Sequence, residues 1–151
     1  MSIVSVSVSD GSIHKIKTAS AGPQGWGPRL SPDAKYVAYG LPFVPGKQDI
    51  FVVEIASGQE TALVQHPADD RLLGWTPDGR YVLFASDRMG AWDAWLLPVA
   101  DGKAQGEPEL VARNLGAVEP KGFTGFKLEG GRVRLTLPSR WVVALEVQQC
   151  L

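Results

Sequence analysis

Apolar and polar residues alternate from the start of the chain, with Ile3-Val4-Ser5-Val6-Ser7-Val8 keeping a period of two. That period predicts a half-buried strand. Ser9-Asp10-Gly11-Ser12 turns it and Ile13-His14-Lys15-Ile16-Lys17-Thr18 returns, so a hairpin is expected. Thr18 to Pro28 is rich in Gly, Pro and Ser and reads as loop. Further strands are expected at Tyr36-Val37-Ala38-Tyr39-Gly40, at Asp49 to Ile55, at Glu60 to Val64 and at Arg71 to Trp75. Others follow at Tyr81 to Ala85, Trp92 to Val99 and Glu109 to Arg113. Leu41 to Gln48 holds two prolines and a glycine and is expected to be loop. No segment sustains helical periodicity, so the predicted class is all-β.

The turns between these strands repeat. Ser31-Pro32-Asp33-Ala34-Lys35-Tyr36-Val37 returns 45 positions later as Thr76-Pro77-Asp78-Gly79-Arg80-Tyr81-Val82. An acidic strand head, Asp49-Ile50-Phe51, returns after 44 as Asp93-Ala94-Trp95. Gly11, Gly58 and Gly102 mark a third landmark, spaced by 47 and 44. A period near ~45 residues with four short strands per unit is the signature of a β-propeller. A degenerate unit follows, with Gly122-Phe123-Thr124 matching Gly74-Trp75-Thr76 and strands expected at Arg132 to Leu137 and Trp141 to Val147.

Residues 1–151 therefore read as one partial propeller domain of four-stranded antiparallel blades. Residues 1–18 supply the outer strands of a first blade, 29–65 a second, 71–113 a third and 115–147 a degenerate fourth. The sum is about three to three and a half blades, whereas closed propellers have ~4–8. An open arc exposes apolar faces and strand edges. The expectation is thus either a fragment of a longer protein or a homo-oligomer in which two copies close the ring.

These residues resemble the WD40-like (PD40) repeat of TolB-type β-propellers, a bacterial family. The resemblance lies in Ser31-Pro32-Asp33-Ala34-Lys35 with Asp49-Ile50-Phe51-Val52, and in Trp75-Thr76-Pro77-Asp78-Gly79-Arg80 with Ser86-Asp87-Arg88, Gly90 and Asp93-Ala94-Trp95. It covers about Met1 to Thr124 and implies a propeller fold. Similar propellers stand beside a separate catalytic domain in tricorn-type and prolyl-oligopeptidase-type peptidases. Ala34 departs from the usual glycine, so its turn must either avoid positive φ or accept ~1 kcal/mol of strain.

Composition narrows the function classes. A net charge of −1 gives no global pull toward nucleic acid, although the residues from Lys121 onward carry +3. No apolar run approaches the ~18 residues of a spanning helix, so membrane insertion is not expected. The N-terminus reads as strand and not as signal peptide. That makes the cytoplasm the default compartment, or the periplasm or exterior for a piece of a longer protein. Cys150 stands alone, which rules out an internal disulfide.

No catalytic constellation emerges. His14 and His66 lack metal-binding spacing, and the nearest approach to a nucleophile elbow, Thr18-Ala19-Ser20-Ala21-Gly22, lacks its first glycine. No metal and no cofactor are expected. Asp33, Asp49, Asp78 and Asp93 recur at matching positions, as does the frame around Trp75 and Gly79, and are assigned to building the blades: Asp33 and Asp78 to turn amides, Asp49 and Asp93 to strand heads. Trp26, Trp75, Trp92, Trp95 and Trp141 are assigned to packing between blades. The most site-like cluster is His66, Asp69, Asp70 and Arg71, in a loop entering an inner strand at the channel mouth. The expected function is a non-catalytic scaffold for a protein or peptide partner. Alternatives are the substrate-gating propeller of a peptidase whose catalytic domain lies outside this chain, and a small-molecule-binding propeller hydrolase.

Overall fold

The structure is a computed structural model that describes residues 2–18 and 28–115, and the strand backbone of 126–129, 132–136 and 142–146. The described residues are all-β and form antiparallel sheets. Strands β1 (Ser2–Val6) and β2 (Ile13–Thr18) make a two-stranded sheet. Strands β3 (Arg29–Leu30), β4 (Tyr36–Val44), β5 (Lys47–Glu54) and β6 (Glu60–Val64) follow in order as a four-stranded sheet. The next sheet holds β7 (Asp70–Trp75), β8 (Tyr81–Ser86) and β9 (Asp93–Ala100). Its outer side carries β10 (Lys103–Ala104) and β11 (Glu109–Ala112), both paired to β9. Strands β12 (Phe126–Glu129), β13 (Arg132–Thr136) and β14 (Val142–Glu146) form a three-stranded sheet.

The sheets stack through alternating faces, because successive residues of a strand point to opposite sides. Ala38, Ile50, Val52, Leu63 and Val64 of the β3–β6 sheet pack with Leu72, Trp75, Val82, Phe84, Leu97 and Val99 of the next. The other face of the β3–β6 sheet presents Val37, Tyr39 and Val53 to Ile3 and Ile16 of the first hairpin. Leu73, Leu83, Ala85, Ala94, Leu96 and Leu115 form a further cluster on the far face of the β7–β9 sheet.

The inner turns repeat bond for bond. Asp33 Oδ1 accepts from Ser31 Oγ at 2.6 Å and from the Lys35 amide at 3.1 Å. Asp78 Oδ1 accepts from Thr76 Oγ1 at 2.6 Å and from the Arg80 amide at 3.1 Å. The Tyr36 and Tyr81 amides donate back to the Ser31 and Thr76 hydroxyls at 2.9 and 3.1 Å. The Ser31 hydroxyl, first among these donors, holds the Asp33 carboxyl below the ordinary carboxylate range.

Ala34 takes the strained option, at φ 57°, where Gly79 in the second copy sits at 71°. A Cβ in that region is crowded by the carbonyl oxygen, at roughly 1–2 kcal/mol. Ala34→Gly will therefore raise stability by about 1 kcal/mol despite the looser unfolded chain. That is a rise of roughly 3 °C in the thermal midpoint for a chain of this size, readable by calorimetry.

Three expectations need correction. Leu41 to Gln48 is not a loop: β4 and β5 run on as a two-stranded arm, with Leu41 opposite Asp49, Pro42 opposite Gln48 and Val44 opposite Lys47. Only Pro45 and Gly46 lie between the strands, and Gly46 has φ 83°, the geometry that Pro-Gly supplies to a type II turn. Proline is tolerated because β3, the other neighbour of β4, pairs only with Val37 and Ala38 among the described residues, so the missing donor of Pro42 deprives no described third strand. Second, of the alternating valines of β1, Val4 and Val6 are exposed and Ile3 supplies the buried contact. Third, the last unit has an additional strand at Phe126–Glu129, paired to Arg132–Leu135 across residues 130–131. The match at Gly122 to Thr124, like Trp26, Trp141 and Cys150, lies outside the described residues.

Candidate functional site

Loops at one end of the β3–β6 and β7–β11 sheets are laced into a continuous surface. The Gln48 amide, at the base of the β4–β5 arm, donates to Asp69 Oδ1 at 3.1 Å. The Asp69 amide in turn donates to Asp87 Oδ1 at 2.9 Å, in the loop between β8 and β9. The His66 amide donates to Asp49 Oδ1 at 3.3 Å, and the Asn114 amide donates to Asp93 Oδ1 at 2.8 Å. Each strand-head aspartate thus fixes the chain just beyond the outermost strand of its own sheet.

The four residues singled out in the sequence divide into different environments. His66 is exposed, and its Nδ1 accepts from the Ala68 amide at 3.0 Å, which places the proton of the neutral ring on Nε2. Asp69 is buried and takes Arg71 on Oδ2, with Nη2 at 2.6 Å and Nε at 2.7 Å. The Arg71 guanidinium carbon lies 4.4 Å from the centre of the Trp92 ring, a cation–π distance. Asp70 points to the opposite face. It is fully buried, and its Oδ1 accepts from Arg88 Nη2 at 2.9 Å.

Arg88 itself is sandwiched. Its guanidinium carbon is 4.9 Å from the Trp95 ring centre and 5.2 Å from that of Phe84, and its Nε donates to Ser86 Oγ at 3.0 Å. Burial pushes the Asp70 carboxyl above its ordinary range, against the opposing pull of Ser86, Arg88 and His66. The structure therefore joins Asp69 to Arg71 and Asp70 to Arg88, and leaves His66 as the exposed side chain of the four. Arg88 and Trp92 are not legible as site residues in the sequence, because their partners Asp70 and Arg71 lie far off along the chain and meet them only in the folded sheet.

The exposed apolar groups on the same end were missed as well. Phe43 and Val44 crown the β4–β5 arm and Met89 tips the β8–β9 loop, all with large exposed side chains. At the other end, a recess of about 340 Å³ is lined by Ser31, Asp33, Tyr36, Trp75 and Asp78. The Asp33 and Asp78 carboxylates are committed to their own turns. Among the described residues no group of three or more His, Cys, Asp or Glu side chains is arranged to hold a metal ion. No helix among them is long and apolar enough to cross a membrane.

No family model matches this sequence, and no curated protein matches it. Solved structures do. TolB from Acinetobacter baumannii aligns over 98% of this chain and 51% of its own, at 17% identity and a TM-score of 0.50. A protein assigned as TolB from Agrobacterium tumefaciens aligns over 87% of this chain and 51% of its own, at 22% identity and a TM-score of 0.55. A puromycin hydrolase mutant aligns over 87% of this chain but 23% of its own, at 18% identity and a TM-score of 0.60. The fold is a TolB-like partial β-propeller. The chain spans about half the length of the TolB structures, so the TolB-like arc seen here corresponds to part of those molecules. At these identities the likeness concerns the fold alone.

Proposed function

We propose that this chain is a non-catalytic propeller segment that serves as a scaffold for a protein or peptide partner, and that the laced loops form the binding face. The observation that carries the reading is the placement of Phe43, Val44 and Met89. These exposed apolar side chains stand on the β4–β5 arm and the β8–β9 loop, both held from beneath by the Gln48–Asp69–Asp87 bonds. Rigid loops carrying apolar side chains with a polar surround are what a protein interface uses. His66 belongs to the contact surface in this reading, while Asp69, Asp70 and Arg71 hold it in place.

Peptides selected from a displayed library on the immobilised chain supply the test. Phe43→Ser with Met89→Ser will weaken a selected peptide by about tenfold or more in calorimetry. Leu30→Ser, exposed elsewhere on the chain, will leave it unchanged. Equal loss from both variants would count against this face. Turnover of ester, lactone or peptide substrates by the chain alone would overturn the scaffold reading, and its loss on His66→Ala or Asp70→Asn would locate the hydrolytic site.

The likeness to a puromycin hydrolase chain about four times as long supports a second reading, in which the segment gates substrate for a catalytic part outside this chain. A downstream hydrolase domain in the same reading frame would favour it.

A further inference from the structure

The first hairpin is half of a blade, and its own repeat says what the other half does. The Gly11 and Gly58 turns set an offset of 47, which places Ser2–Val6 on Asp49–Val53. The burial agrees. Ile50 faces the sheet that follows, packed among Leu72, Phe84 and Leu97, and Ile3 likewise faces the sheet that follows, packed among Val37, Tyr39 and Val53. Phe51 and Val53 face the sheet that precedes them, the hairpin itself. Their counterparts Val4 and Val6 point the same way but stay exposed, at 45% and 57%, and Ile13, opposite Val6, is 72% exposed. Strand β5 is flanked by β4 on one edge and β6 on the other, whereas β1 pairs only with β2 among the described strands. A β-branched face and the adjoining strand edge are therefore bare together.

We propose that this face and edge dock a second copy of the chain, so that two copies close a ring about a twofold axis. The choice of occupant rests on length and on the direction of stacking. The chain covers about half of the two TolB structures described above, and a second copy has the length of the remainder. The sheets also stack in chain order, hairpin on β3–β6 and β3–β6 on β7–β9, so the bare hairpin face lies at one end of the stack. A surface at one end that matches a surface at the other makes a contact that closes when the rotation per copy is half a turn. The proposal is independent of the scaffold reading, since it involves neither Phe43 nor Met89.

Light scattering across rising concentration reads the outcome. The chain will have twice the mass of one copy, and Val4→Lys with Val6→Lys will have the mass of one copy, because buried like charges block the contact. A wild-type chain that stays monomeric at high concentration overturns the proposal and leaves the face to another segment of a longer protein. A variant that dimerises as well as wild type overturns it too. Hydrogen exchange gives a reading that does not depend on the variant's folding. The amides of Ser2–Val6 in the wild-type chain will slow at least tenfold between dilute and concentrated samples, and amides that exchange equally at both sink the idea.

Discussion

Replacing Arg88 with methionine will lower the stability of the fold by about 3–5 kcal/mol at neutral pH, as removal of one partner of a buried ion pair does. Urea unfolding followed by tryptophan fluorescence will read it, as a fall in midpoint at unchanged slope. The argument rests on what is left behind. Asp70 is fully buried, Oδ1 has Arg88 as its charged partner, and Oδ2 makes no hydrogen bond among the described residues. Methionine fills the volume between Phe84 and Trp95 without offering a charge, so the carboxylate is stranded. For a domain stable by about 5–15 kcal/mol, the loss is a large fraction of the whole.

The same pair fixes the sign of the pH response. Burial raises the Asp70 carboxyl above its ordinary 3.8 in the folded state, so folding favours the protonated form. Its contribution is full below the unfolded value and is lost as pH rises through the raised folded one. Removing Arg88 takes away one of the groups pulling that value down, so it climbs further. The deficit of Arg88→Met is therefore largest at neutral pH and shrinks on acidification. Pairing it with Asp70→Leu will recover most of the loss, because a buried pair exchanged for apolar residues costs little. A double variant no better than the single one would show that Arg88 acts by packing on Trp95 and Phe84 instead.

Arg88 also marks where the sequence stops being legible. The turns were readable because their chemistry is local: Asp33 and Asp78 bond residues two positions away, and the same pattern 45 positions on exposes the repeat. The pairing of Asp70 with Arg88 spans 18 positions and exists only because Asp70 stands opposite Ser86 in the β7–β8 register. Nothing in either neighbourhood announces it. The β4–β5 arm was hidden for a different reason. Two prolines and a glycine read as breaks, and only the shortness of β3, which pairs β4 no further than Ala38, reveals a place where a strand can tolerate Pro42. The valines of β1 show a third limit. Alternation states that a face is suited to burial but carries no information on whether the chain itself supplies the cover.

Truncating Trp75 will separate the β3–β6 and β7–β11 sheets more effectively than any other single aromatic change in their interface. Trp75 is buried in the cluster shared by the two sheets, and its Nε1 donates to the Arg29 carbonyl at 3.0 Å. Arg29 answers with its own Nε, which donates to the Leu73 carbonyl at 3.4 Å, so the first strand of one unit is tied to the first strand of the next. Trp75→Ala opens a cavity and strands the Arg29 carbonyl, and will cost about 3–5 kcal/mol. Trp75→Phe keeps most of the ring volume and loses the bond, and will cost about 1–2 kcal/mol. The ratio separates two roles for this residue. If packing dominates, phenylalanine restores most of the thermal midpoint lost by alanine. If the bond is the principal tie between the units, phenylalanine falls nearly as far, and native-state hydrogen exchange will show β3 opening while β8 and β9 stay protected. The packing outcome is the expected one, because Trp75 lies among Leu72, Val82 and Val99 over most of its surface, while a net hydrogen bond contributes about 1 kcal/mol.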